Sequence, residues 1–180
     1  QWSYNLGYSY THTESDAKSG YLLHNSMPNG YRIGLHYHQG PWKANLEGRM
    51  GTLDEEGRKL VELARSRADV IAQHYEDRRF SQVPVEITKI ADAANEYFDR
   101  REPWKTVKQP DGAETTRTTL TTILNVFRIL AIYLKPILPV YAEKVAALFG
   151  EAPYTWEDAA RTVENAAISK YEYLATRIDA

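Results

Sequence analysis

The sequence predicts a mainly α protein, an antiparallel helical bundle with an atypical irregular or β-containing segment at its N-terminal end. Three observations predict it. From Thr52 onward, apolar residues recur at spacings of three, four and seven, the rhythm of one buried helix face. The patterned stretches are long and their connections short, which sets neighbouring helices antiparallel. The composition also switches at Gly51. Residues 1–51 hold 7 of the 10 glycines, 6 of the 13 tyrosines and 4 of the 5 histidines, but only 7 Lys, Arg, Asp or Glu residues, while 52–180 hold the other 39. The expected division is therefore 1–51 as the atypical segment and 52–180 as the bundle.

The elements follow in order. Thr52-Leu53-Asp54-Glu55 has the form of a capping box, so a first helix is predicted from about Leu53 to Asp77. Its apolar face is Leu60, Leu63, Ala64, Ile71 and Tyr75, and Gly57 is its weak point, costing about 1 kcal/mol against Ala. Ser81 caps a second helix that accepts Pro84 only in its first turn. Val83, Ile87, Ile90, Ala91, Ala94, Tyr97 and Phe98 form its inner face. It stops near Arg101, because Pro103 disfavours helix at the residue before it. Gln109-Pro110-Asp111-Gly112 is a turn by composition.

A third helix is expected from about Glu114 to Lys135, with Leu120, Ile123, Leu124, Phe127, Leu130, Ala131 and Leu134 as its stripe. The threonines between Thr115 and Thr122 are poor helix formers and are assigned to a solvated face. Pro136 and Pro139 interrupt the rhythm. A fourth helix runs from Val140 to Phe149, with Gly150 as C-cap. Thr155 caps a short turn starting at Trp156, and Ile168 to Ile178 is amphipathic and partly helical. In the N-terminal segment, Tyr8–Thr13 and Tyr31–His38 alternate like strands, with Pro28-Asn29-Gly30 as a turn.

Whole-chain composition excludes several classes. The 180 residues are 43% hydrophobic and 26% charged, which is globular rather than disordered. No apolar run is long enough for a transmembrane helix, so no membrane partner is expected. With no cysteine there is no disulfide, thiolate nucleophile or cysteine-ligated zinc. The net charge of −2 excludes a basic nucleic-acid tail but leaves room for a local phosphate site. The chain opens on Gln1 without a signal-like stretch and is expected to be part of something longer.

No P-loop, G-x-G-x-x-G, G-x-S-x-G or H-E-x-x-H motif is present, and no catalytic residues are assigned. Most carboxylates share helix faces with Lys or Arg and read as solvated. His36-Tyr37-His38, with His24 upstream, has a metal-like spacing but no acidic third ligand, so no metal is expected. The basic residues Arg100, Arg101, Lys105 and Lys108 flank Pro103-Trp104. An aromatic ring beside such groups offers a surface on which an unpaired base stacks while the cations hold phosphate. The competing reading is that Trp104 plugs the end of the bundle, and composition by itself favours the plug.

A resemblance shifts that balance. Arg79-Phe80, then Ile90-Ala91-Asp92-Ala93-Ala94-Asn95-Glu96-Tyr97, then Pro103-Trp104-Lys105 resemble the anticodon-binding domain of methionyl-tRNA synthetase. So do Phe127-Arg128-Ile129-Leu130, Tyr133-Leu134-Lys135-Pro136-Ile137-Leu138-Pro139, Trp156 after Thr155, and the closing Arg177-Ile178-Asp179. The match covers about 54–180. It implies the helical bundle of a class I aminoacyl-tRNA synthetase anticodon-binding domain. It also implies as partners the methionine tRNA anticodon stem-loop, with its CAU anticodon, and the catalytic domain of the parent synthetase. The location implied is cytoplasmic. The family's Pro-Trp tryptophan stacks on an anticodon base, which falls on Trp104. Arg101, Lys105 and Lys108 join it as RNA-binding candidates by position. Asn95 and Tyr97 match positions read as helix packing.

The departures are equally definite. The family carries two further anticodon residues in an Asn-Leu-x-x-Arg pattern about 70 residues before the tryptophan. Asn45-Leu46-Glu47-Gly48-Arg49 has the letters, but stands about 10 residues too close and among glycines, so the match is read as coincidental. The catalytic signatures His-x-Gly-His and Lys-Met-Ser-Lys-Ser and the zinc-knuckle cysteines are absent. This chain by itself is therefore expected to hold no cofactor and to catalyse nothing, ATP belonging to the catalytic domain of the parent enzyme. Residues 1–51 have about the length of the missing linker and first bundle helix. A reading-frame slip is one account of them, a β-rich insert the other. Two rival functions remain. One is a helical protein-interaction module without RNA binding, favoured by 18 basic against 21 acidic residues in 52–180. The other is a small hydrolase using His36 or His38.

Overall fold

The computed structural model describes residues 3–8, 31–37 and 49–169. The chain divides into two compact units, Gln1–Asn45 and Leu46–Ala180. In the first, the backbone of β1 (Ser3–Tyr8) pairs antiparallel with β2 (Tyr31–Tyr37), Tyr8 opposite Tyr31. The second strand falls where the alternation predicts one. The first precedes the expected Tyr8–Thr13 stretch and shares only Tyr8 with it. Residues 9–13, the Pro28-Asn29-Gly30 turn, His24, His38, the His36 side chain and Asn45–Gly48 lie outside the described residues.

The second unit contains α1 (Glu55–Arg65), α2 (Ala68–Glu76), α3 (Gln82–Arg101), α4 (Pro103–Thr106), α5 (Gly112–Leu134) and α6 (Pro139–Leu148), then a 3-10 turn at Trp156–Ala160. The single helix predicted over 53–77 is two helices. The Ser66 hydroxyl donates to the Leu63 carbonyl at 2.7 Å, a local bond that competes with the helix ladder and helps end α1. The apolar face changes phase there, so Ile71 is fully buried while Leu63 is exposed. The N-cap also differs from the expected Thr52. Asp54 caps α1, its Oδ1 accepting from the Gly57 amide at 2.7 Å. Such a cap contributes about 1 kcal/mol.

Helix α5 lies at the centre, packed by α1, α3, α4, α6 and the 3-10 turn. This overturns the solvated-face assignment for four of its threonines: Thr116, Thr119, Thr121 and Thr122 are buried, while Thr115 is exposed as expected. Their hydroxyls are satisfied inside. Thr119 and Thr122 donate to the carbonyls of Thr115 and Thr118, Thr121 accepts from the Gly51 amide, and Thr116 pairs with Thr106. Small side chains there let α1 come close. A Cβ on Gly57 would stand 2.3 Å from Thr122 Oγ1, so the apparent weak point of α1 is the place where it meets α5.

The remaining helix bounds fit with small shifts, but Ser81 stands at the N-cap of α3 without a side-chain cap bond. Helix α3 keeps Pro84 in its first turn and buries Val83, Ile87, Ile90, Ala94 and Tyr97. Gly150, in the left-handed region at φ 65°, follows α6. Thr155 and Asp158 form a reciprocal capping box at the 3-10 turn. The Thr155 backbone amide, then its hydroxyl, hold the Asp158 carboxyl below its usual range.

Residues 49–53 are built into this unit. Met50 and Leu53 are buried, and Met50 and Gly51 exchange backbone bonds with Ala166 and Asn165. Asn125 clamps Val163 through both its amide atoms at 2.8 Å. Of the amphipathic end, Ile168 and Ser169 are described, and the rest lies outside the described residues. No helix among the described residues is long and apolar enough to cross a membrane.

Candidate nucleic-acid interface

The corner that carries Trp104 is built from a forced turn. Helix α3 ends at Arg101, and Glu102 takes the left-handed conformation at φ 43°, uncommon for a residue with a side chain. Glu102 is at once the C-cap of α3 and the N-cap of α4, and Pro103, with its fixed φ, starts α4 without needing a donor. The Lys105 and Thr106 amides both donate to the Glu102 carbonyl, at 2.8 and 3.1 Å.

The short helix is fastened to α5. Pro103 is buried and Thr106 Oγ1 lies 2.8 Å from Thr116 Oγ1. The following turn returns so tightly that a Cβ on Gly112 would stand 1.6 Å from the Thr106 carbonyl oxygen. Only glycine fits there.

Trp104 sits on this support, 44% exposed. One side of its ring rests on Phe98, with centroids 5.7 Å apart and planes at 50°. It therefore neither plugs the bundle nor stands free: it is braced from one side and open on the other. Tyr97, one residue before Phe98, is buried, as its packing role requires. Its hydroxyl lies 3.4 Å from Thr122 Oγ1 and burial pushes its pKa up.

The four cations around Trp104 divide. Lys108 is exposed and makes no ion pair among the described residues. Lys105 is exposed and pairs with Glu102 at 2.6 Å, a contact of small worth in water. Arg100 pairs with Glu56 and, at 3.7 Å, with Glu96. Arg101 turns inward. Its Nη2 donates to Asp54 Oδ2 at 2.7 Å, its Nε to Thr119 Oγ1 at 3.3 Å, and its Nη1 lies 3.5 Å from Glu56. Its guanidinium also stands 5.7 Å from the Tyr97 ring centroid. The corner thus mixes an indole, two solvent-facing lysines and several carboxylates.

Sequence reasoning found Trp104 and the cations but not what supports them. Thr106 and Thr119 carried no visible signal; Asp54 was a good N-cap type just before a helical rhythm, and Gly112 was visible only as part of a turn. Among the described residues no group of His, Asp and Glu is placed to hold a metal ion.

Comparison with known proteins identifies the class to which this helical bundle belongs. A family model described as the anticodon binding domain of methionyl tRNA ligase matches residues 48–171. A methionine–tRNA ligase of Bdellovibrio bacteriovorus is 50% identical over 139 residues, covering 77% of this chain and 20% of that protein. One from Burkholderia vietnamiensis is 41% identical over 122 residues, covering 67% and 17%. The crystal structure of the free Mycobacterium tuberculosis methionyl-tRNA synthetase matches with a TM-score of 0.66 at 26% identity, over 76% of this chain and 29% of that one. This chain belongs to the methionyl-tRNA ligase anticodon-binding domain family. It spans about a fifth of the length of the curated relatives it matches.

Proposed function

We propose that the chain is the anticodon-reading part of a methionine–tRNA ligase, binding the methionine tRNA anticodon stem-loop with Trp104 stacked on one unpaired base. The observation that carries this is the indole itself. It is braced by Phe98, half open to solvent, and sits on a short helix locked to the central helix of the fold. A large ring held still spends little ordering entropy on binding. Lys108 and Lys105 supply phosphate contacts on the same corner.

The parent enzyme would join methionine to tRNA with ATP in its catalytic part, the second partner of this chain, in the cytoplasm. The described residues support only the reading of the anticodon. The family's Asn-Leu-x-x-Arg pair has no counterpart among them, so binding by this chain is expected to be weak.

The test is titration of the chain with methionine tRNA and with the same tRNA carrying a changed anticodon, at several salt concentrations. The proposal expects weaker binding of the changed tRNA and a steep loss with salt, since phosphate contacts release counterions. Indifference to the anticodon removes specificity. Absence of tRNA binding at low salt returns the chain to a protein-interaction module.

A further inference from the structure

We infer that Arg101 is a positioning residue for Trp104 rather than a phosphate ligand, and that Asp54 and Thr119 are the anchors through which it acts. The inference rests on the proposed anticodon reading and adds how its tryptophan is aimed.

The guanidinium of Arg101 has all three nitrogens engaged: Nη2 on Asp54, Nε on Thr119 and Nη1 beside Glu56. Its side chain is 23% exposed, against 54% for Arg100 and 63% for Lys105. A phosphate would have to break the Asp54 contact and compete with two carboxylates. The position in the chain matters more. Arg101 is the last residue of α3, and only Glu102 separates it from Pro103 and Trp104. Glu102 holds a left-handed conformation, which persists only where its surroundings impose it. Fixing the end of α3 fixes the start of α4, and with it the direction of the indole.

Asp54 divides its carboxylate between two tasks. Oδ1 caps α1 through the Gly57 amide and Oδ2 holds Arg101. Thr119 brings in α5, itself bonded back to the Thr115 carbonyl. The start of α1, the end of α3 and the first turns of α5 therefore meet on one guanidinium, three residues before the tryptophan.

Asp54→Asn separates positioning from charge. Asparagine keeps an N-cap oxygen but loses the negative charge that holds Arg101. If charge alone mattered, removing a carboxylate beside an RNA site would tighten binding. Positioning requires the opposite: methionine tRNA binds roughly three- to tenfold more weakly, a charge-assisted hydrogen bond partly transmitted to the ligand. Arg101→Met behaves alike, with the salt slope unchanged, whereas loss of a direct phosphate contact lowers that slope by about one.

An RNA-free readout accompanies these titrations: the fluorine spectrum of the 5-fluorotryptophan protein, with the Trp104 signal assigned by Trp104→Phe. Both variants should shift or broaden the Trp104 signal. They should leave Trp156 in place, since its ring lies 5.0 Å from that of Tyr133 in a separate contact. If Trp156 also moves in Arg101→Met, Asp54→Asn and Thr119→Val carry the test. An unmoved Trp104 signal in the variants, tighter binding by Asp54→Asn, or a lowered salt slope in Arg101→Met overturns the inference. Trp104→Ala that binds as well as the parent overturns the anticodon reading instead, and the fluorine signal still decides the clasp.

Discussion

Two arginines, Arg101 and Arg128, meet the central helix nine residues apart, Arg101 through Thr119 and Arg128 from α5 itself, about 13 Å along its axis. Arg128 is completely buried. Its Nε and Nη2 hold both oxygens of Glu151 at 2.5 and 3.1 Å, and its Nη1 donates to the Asp158 and Arg161 carbonyls at 2.9 and 3.1 Å. Tyr154 covers its face at 5.0 Å, and burial pushes that phenol well above its usual range. Arg128 itself is sealed there, and only its outer neighbour Arg161, which also holds Glu151, faces solvent. Arg101 makes a looser set of contacts with an exposed tryptophan close by. The comparison teaches that a saturated, sealed guanidinium fastens the scaffold, whereas a partly exposed one beside a surface ring tunes what the scaffold presents.

The largest blow to this comparison is Arg128→Met. Breaking one side of a buried pair costs about 3–5 kcal/mol, so the urea midpoint should fall steeply. The bond of Glu151 to Arg161 at 2.7 Å offsets part of that cost. A loss under about 1 kcal/mol would mean that the outer pair suffices and the buried one is not the fastening.

Next comes Gly112→Ala. Its methyl cannot share space with the Thr106 carbonyl, so α4 must move, at an overpacking cost of about 1–3 kcal/mol. Binding of tRNA should weaken with it. Unchanged binding would show that the seat of α4 does not set the indole.

Smaller effects separate the stations further. Lys108→Ala should leave stability unchanged in denaturant and lower the salt slope of tRNA binding by about one, the mark of a single phosphate contact. An unchanged slope removes Lys108 from the interface. At the Arg128 station, acid acts on Asp158. The folded pKa of Asp158 is depressed from 3.8, so its contribution is present above that value and fades as pH falls through the lower folded one. Asp158→Asn should flatten this part of the acid profile without altering Trp104 fluorescence.

Much of the scaffold was legible before any coordinates. Periodicity located α3, α5 and α6 because each has an apolar stripe, and capping residues marked the 3-10 turn and Gly150. Three features were hidden. The first helix breaks at Ser66 and Arg67, where its apolar face changes phase. The threonines of α5 look polar in a list, yet bonding back to their own helix lets them pack as small core residues. The support of Trp104 is assembled from Asp54, Thr106, Gly112 and Thr119, as much as 65 positions apart in the chain. The ring itself was visible as Pro-Trp among cations; whether it lay inside or outside was not.

The most direct test is the affinity of the chain and of its Trp104→Ala variant for a hairpin carrying the CAU anticodon, measured at one low salt concentration. Stacking on one base is worth about 1–3 kcal/mol. The account therefore predicts a loss of that size in binding, with an unchanged urea midpoint because the ring is half exposed. Equal affinity of the two proteins would contradict it.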